Sequence, residues 1–129
     1  MKHLLIILLL SFFAPTAEAQ RIFDASGRLM GRVDGDRFFD ASGRLLGRVN
    51  GERMFDGTGR LMGRLDGQRV FDSAGRLQGR IDGDRLFDAT GRLSGRIDGD
   101  RFFDATGRLL GRSEGLLRRD VVLFFYFFM

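Results

Sequence analysis

A sixteen-residue phrase, repeated six times without a gap, sets what this chain can fold into. The copies begin at Arg21, Arg37, Arg53, Arg69, Arg85 and Arg101. The second reads Arg37-Phe38-Phe39-Asp40-Ala41-Ser42-Gly43-Arg44-Leu45-Leu46-Gly47-Arg48-Val49-Asn50-Gly51-Glu52. A unit this short cannot bury its own apolar face, so neighbouring copies must supply the core.

Two turn-like clusters ending in glycine divide each unit. Asp40-Ala41-Ser42-Gly43 has Asp first and Gly fourth, the preferences of a type I turn. With Gly43 in the left-handed region it closes a three-residue hairpin loop that sets Asp40 opposite Arg44 and Phe39 opposite Leu45. The second cluster, around Asn50-Gly51, reads either as a two-residue type I′ turn or as a three-residue loop. Strand side chains alternate with period two, so the two-residue loop would set the faces of successive hairpins in conflict. The reading therefore takes Val49-Asn50-Gly51 as a three-residue loop with Arg48 opposite Glu52. Two faces follow. One carries the Phe and Leu kept in every copy (Phe39 and Leu45 here) and is expected to be the core. The other varies, from Phe38 with Leu46 to Val70 with Gln78 and Leu86 with Ser94, and is expected to be partly exposed.

A solenoid would stack like charges in ladders, which is unfavourable. A meander alternates Asp with Arg along each row. The fold class expected is all-β: an antiparallel meander of short hairpins whose two edge strands join to close a ring. The phrase Phe-Asp-x-x-Gly-Arg-Leu-x-Gly-Arg-Val-Asp-Gly-Asp-Arg resembles the repeat of five-fold β-flower proteins, small exported bacterial proteins, and more loosely the YD/RHS-type repeats of toxin shells. The β-flower resemblance spans almost all of the repeat region and its flanks, and it implies an architecture without implying an activity. The second loop is intact five times and decays at Ser113-Glu114-Gly115-Leu116. Five hairpins around those loops would leave the first and last strands to close the ring.

The flanks differ from the repeat. Met1-Lys2-His3, an apolar run from Leu4 to Ala14 and Ala17-Glu18-Ala19 have the pattern of a secretory signal peptide. The domains expected are a signal peptide at 1–19, a β-repeat domain at 20–115 and an apolar aromatic tail at 116–129. The tail is continuously apolar from Val121 to Met129, which suits a strand buried on both faces. A ring wider than about eight strands leaves a lumen to fill, so the tail is expected to pack on the repeats as a plug. Membrane contact and docking to a partner are its alternatives.

Little in the composition supports chemistry. The chain has no cysteine, and its one histidine, His3, lies in the leader. That leaves no thiolate and no imidazole for metal binding or acid–base work near neutral pH. Asp24, Asp40, Asp56, Asp72, Asp88 and Asp104 recur at turns and read as turn formers and partners of the following Arg rather than as general acids. Asp34-Gly35-Asp36 lacks the spread of oxygens a calcium loop needs. Net charge is +4, distributed over the whole repeat, which is a weak case for nucleic acid. The expectation is no catalytic residue, no cofactor and no metal site. It is of an exported structural or interaction protein of the bacterial envelope: periplasmic, outer-membrane-associated or secreted. The alternative is a binding protein for an anionic or carbohydrate ligand through its arginine-rich faces. An incomplete charge pattern at one place on the ring would favour that alternative.

Overall fold

The structure, a computed structural model, describes residues 20–129; the signal-peptide expectation for residues 1–19 lies outside them. Each repeat makes a four-residue and a six-residue strand. The short ones are β1 (Arg21–Asp24), β3 (Arg37–Asp40), β5 (Arg53–Asp56), β7 (Arg69–Asp72), β9 (Arg85–Asp88) and β11 (Arg101–Asp104). The longer ones are β2 (Leu29–Asp34), β4 (Leu45–Asn50), β6 (Leu61–Asp66), β8 (Leu77–Asp82), β10 (Leu93–Asp98) and β12 (Leu109–Glu114). Every strand pairs antiparallel with its chain neighbours, and β1 pairs with β12 to close a barrel. The expected meander and ring are both present. Five loops of the second kind are covalent, and the β12–β1 seam stands where a sixth would be.

The first loop forms as expected. Gly43 N–H donates to Asp40 C=O (3.1 Å), and Asp40 N–H donates to Arg44 C=O (2.9 Å). Gly43 sits at φ +91°, where a side chain would be strained. The second loop corrects both sequence readings. Asn50 pairs with Arg53, so the loop is Gly51-Glu52. Gly51 takes φ +65°, and among the described residues no non-glycine has positive φ. Glycine with positive φ at the first central position marks a type II′ turn. Asp66, which a type I′ turn or a three-residue loop would have placed in the turn, is a strand residue paired with Arg69.

The parity conflict is removed by a β-bulge. Phe38 pairs with Gly47 and Phe39 with Leu45, so Leu46 is an extra residue on its strand. The same shift occurs in all six first hairpins. One extra residue turns the remainder of the strand over. The expected faces are therefore exchanged. Ile22, Phe38, Met54, Val70, Leu86 and Phe102 are at most 1% exposed and line the interior, whereas Leu45 and its five equivalents are 37–41% exposed. Phe39 and its equivalents are half-buried on the outer wall.

The tail is not a strand. Arg118–Phe128 forms the helix α1, whose Val121, Val122, Leu123 and Phe124 are buried in the barrel core. A closed barrel has no free edge for another strand to join. A segment inside it must satisfy its own backbone N–H and C=O groups, which a helix does within itself. With side chains a helix is about 10–12 Å across, a size that fills a lumen eight strands would not leave.

Candidate functional site

The lumen meets α1 through a ring of glycines. Gly31, Gly47, Gly63, Gly79, Gly95 and Gly111 lie mid-strand, facing inward and buried. An aromatic ring lies against each. Phe124 rests at Gly31, Phe125 at Gly95, Tyr126 at Gly79, Phe127 at Gly63 and Phe128 at Gly47. Five successive helix residues thus visit five repeats in order around the barrel. The sixth socket, Gly111, is filled by Phe102 from the barrel wall itself. A methyl at Gly79 would come within 2.6 Å of the Tyr126 ring. Sequence reasoning read Gly43 and Gly51 as punctuation and missed the role of Gly47. A glycine inside a strand, at the same place in each repeat, signals close approach of another group.

The fourth repeat and the start of the fifth carry polar contacts of the plug. The Tyr126 hydroxyl donates to Phe87 C=O (2.7 Å) and approaches Arg80 C=O (3.2 Å). Gln78 Nε2 donates to Tyr126 C=O (3.2 Å), one of the carbonyls that a helix end leaves without an internal partner. Gln78 therefore breaks the apolar pattern because it holds the helix terminus. Burial pushes the Tyr126 phenol up to about 12.

The outer wall has its own repeated geometry. Arg32, Arg48, Arg64, Arg80, Arg96 and Arg112 each stack a guanidinium on a phenylalanine of the adjoining short strand, 4.3–5.1 Å from the ring centroid. Beside them, cross-strand pairs Arg21–Arg32, Arg37–Arg48 and their four equivalents place like charges opposite each other. The meander was expected to avoid such pairs. They are tolerated because the stacked member gains the electrostatic attraction of the ring face. In four repeats that same member also meets a carboxylate two residues on: Arg64–Asp66 at 3.2 Å, Arg80–Asp82 at 4.0 Å, Arg96–Asp98 at 3.8 Å and Arg112–Glu114 at 3.0 Å. The result is a girdle of twelve arginines, bordered on one side by the six exposed leucines.

At the rim formed by the first loops, each Asp anchors its turn. Asp40 Oδ1 accepts from Ser42 N–H (2.9 Å), Ser42 Oγ–H (2.7 Å) and Arg44 N–H (2.9 Å). The hydroxyl of Ser42, followed by the Arg44 amide, holds this carboxyl below its ordinary 3.8. Asp24, Asp56, Asp88 and Asp104 share the pattern, with Ser or Thr in the same place. Asp72 has Ala74 there instead; the Arg76 amide becomes the chief cause of its lowered value, and Arg76 Nε adds a contact at 3.4 Å. Of the six expected Asp–Arg side-chain pairs, the described residues show this one. The other arginines use their backbone N–H. A carboxyl stabilised as its anion suits a turn anchor and not a proton donor.

The profile of the 5-fold β-flower protein family matches residues 19–129. The chain belongs to that family. No curated protein and no solved structure matches it. In this β-flower protein the second rim, formed by the Gly51-Glu52-type loops, carries the remaining distinctive geometry. The chain leaves β12 there and enters the barrel. A cleft of about 410 Å³ lies between the start of α1 and the β6–β8 side, with Leu65, Ile81 and Val122 as its apolar lining and Gln68, Arg118 and Arg119 at its edge. Arg118 donates to Gly83 C=O. Arg119 pairs with the buried Asp120 at 3.0 Å.

Proposed function

We propose that this β-flower protein is a non-enzymatic, exported structural or interaction module of the bacterial cell envelope, and that its outer wall is the working surface. One observation carries this reading: the inward and turn-anchoring repeated groups are used by the fold, and the outer wall is left. The inward residues hold α1, the glycines receive its rings and the aspartates anchor turns. The arginine girdle and the leucines that border it are repeated chemistry facing solvent. The leader-like start at Met1 to Ala19 supports an exported location: periplasmic, outer-membrane-associated or secreted. Fractionation with intact-mass measurement tests export, and a full-length cytoplasmic chain would overturn it. A pull-down from envelope extract, comparing the native wall with an Arg37→Ser/Arg53→Ser variant, tests the surface. Identical captures would overturn that part of the reading.

A second reading, a binding protein for an anionic ligand, has specific support. Where other second loops carry acids, the ring has Asn50 and Gln68. This is the interruption of charge pattern that distinguishes ligand binding from a purely structural girdle.

A further inference from the structure

The girdle is not electrically uniform around the ring. It divides into three sectors of four strands each, every one carrying four arginines. Over β8–β11, Arg80, Arg85, Arg96 and Arg101 are matched by Asp82, Asp84, Asp98 and Asp100. Over β12 and β1–β3, Arg112, Arg21, Arg32 and Arg37 meet Glu114, Asp34 and Asp36. Over β4–β7, Arg48, Arg53, Arg64 and Arg69 meet only Glu52 and Asp66, because Asn50 and Gln68 stand at the other two loop positions. The net charges are 0, +1 and +2. Arg118 and Arg119 line the rim cleft with Gln68, Arg119 being paired with the buried Asp120.

The same sector offers apolar surface in a fixed relation to that charge. Leu45 and Leu61 are 37% and 40% exposed on the wall beside the guanidiniums. The rings of Phe55 and Phe71 lie beneath Arg48 and Arg64, so their faces do not offer stacking to a base or a sugar. Guanidiniums pair phosphate oxygens in two-point fashion. Leucines beside them suit the glycerol and acyl region just below a headgroup layer. Strands of four and six residues suit contact with such a layer, since a spanning strand takes about 9–11.

Resting on the anion-binding reading, we infer that the β4–β7 sector docks this protein onto a membrane surface of anionic phospholipids. Arg48, Arg53, Arg64 and Arg69 meet headgroup phosphates, and Leu45 and Leu61 meet the interface. The amides Asn50 and Gln68 leave that sector its net charge and so fix which side of the ring faces the lipid.

The test uses residues 20–129, which contain the whole barrel and α1, in flotation with phosphatidylcholine vesicles with and without phosphatidylglycerol. Binding to the anionic vesicles alone, weakening as salt rises, is expected. Asn50→Asp with Gln68→Asp gives the sector the charge of its neighbour and should lower partitioning on the order of tenfold. In that background, Asp82→Asn with Asp100→Gln creates an equivalent sector over β8–β11 and should restore binding. All changes lie at exposed positions in or next to the second loops, and matched melting temperatures show that folding is unaltered. Equal partitioning of native protein and Asn50→Asp/Gln68→Asp overturns the inference. Binding to duplex DNA or heparin with no binding to vesicles also overturns it, while leaving the anion reading standing. Failure to bind vesicles, DNA and heparin alike overturns both.

Discussion

The inner and outer walls of this barrel are built by the same strands and follow opposite rules. Inward positions of the short strands vary through Ile22, Phe38, Met54, Val70, Leu86 and Phe102. The outward Phe and Leu never change. A repeated residue suggests a core, because cores constrain their occupants. Here the core contains α1, which has no rotational symmetry. Each inward position meets a different part of the helix, so the six copies must differ to fit it. The outer wall meets solvent everywhere, and every repeat can make the same Arg–Phe stack. In a symmetric shell around an asymmetric filling, an invariant side chain marks the outside, and the inner wall keeps only its glycine sockets constant.

Deleting residues 116–129 should be the harshest test of that contrast. It empties a lumen whose buried lining would then face water, and loss of cooperative thermal unfolding in detergent-free buffer is expected. An unchanged melt would show that the inner wall does not depend on its filling. Next in size, Phe38→Ala should cost about 3–5 kcal/mol in urea melts, as large aromatic truncations in cores do. Phe39→Ala, on the same strand but facing out, should cost about 1 kcal/mol, the scale of an exposed cation–π contact. Equal losses would erase the distinction between the walls. Gly79→Ala should cost about 1–3 kcal/mol through overpacking, because its methyl meets Tyr126 and the Phe87 carbonyl. The same melt reads it, and a neutral result would mean the sockets are loose.

The smallest effect expected is at the first-loop rim. The six anchoring aspartates have lowered folded-state pKa values. A lowered carboxyl pKa contributes stability above its unfolded value, and that contribution is lost as pH falls through the folded one. Stability should therefore decline as pH drops below about 3.8, the ordinary value. Thr58→Ala removes the largest cause of the shift at Asp56, so its carboxyl should titrate higher in an NMR pH series. An unmoved titration would place the anchor elsewhere.

The sequence disclosed the repeat, the strands, the first loop, the ring and the role of the turn aspartates, because each depends on contacts within one or two units. It misled at the bulge. Leu46 is identical in type to Leu45, and nothing in a two-residue period marks one of them as extra, yet that single residue exchanges the walls. The tail was misread as a strand for a similar reason. An unbroken apolar run carries no period, and the choice of helix followed from the closed ring that surrounds it. The stack of Arg48 on Phe55 was hidden because it joins two copies, and the socket at Gly47 because it joins a copy to the tail.

The β12–β1 seam has a kinetic consequence. Every other strand pair joins neighbours in the chain, so its loop-closure cost is small and hairpins of this kind form in about 1–10 μs. The seam joins Arg21 to Glu114, and the entropy of closing so long a span must be met in one step. Until it is met, ten of the twelve strands can pair fully while the two ends expose unpaired edges. The helix departs from the last of those strands, three residues beyond it. The segment that fills the lumen thus follows all twelve strands in the chain, and the barrel acquires its core only after the last of them has been made.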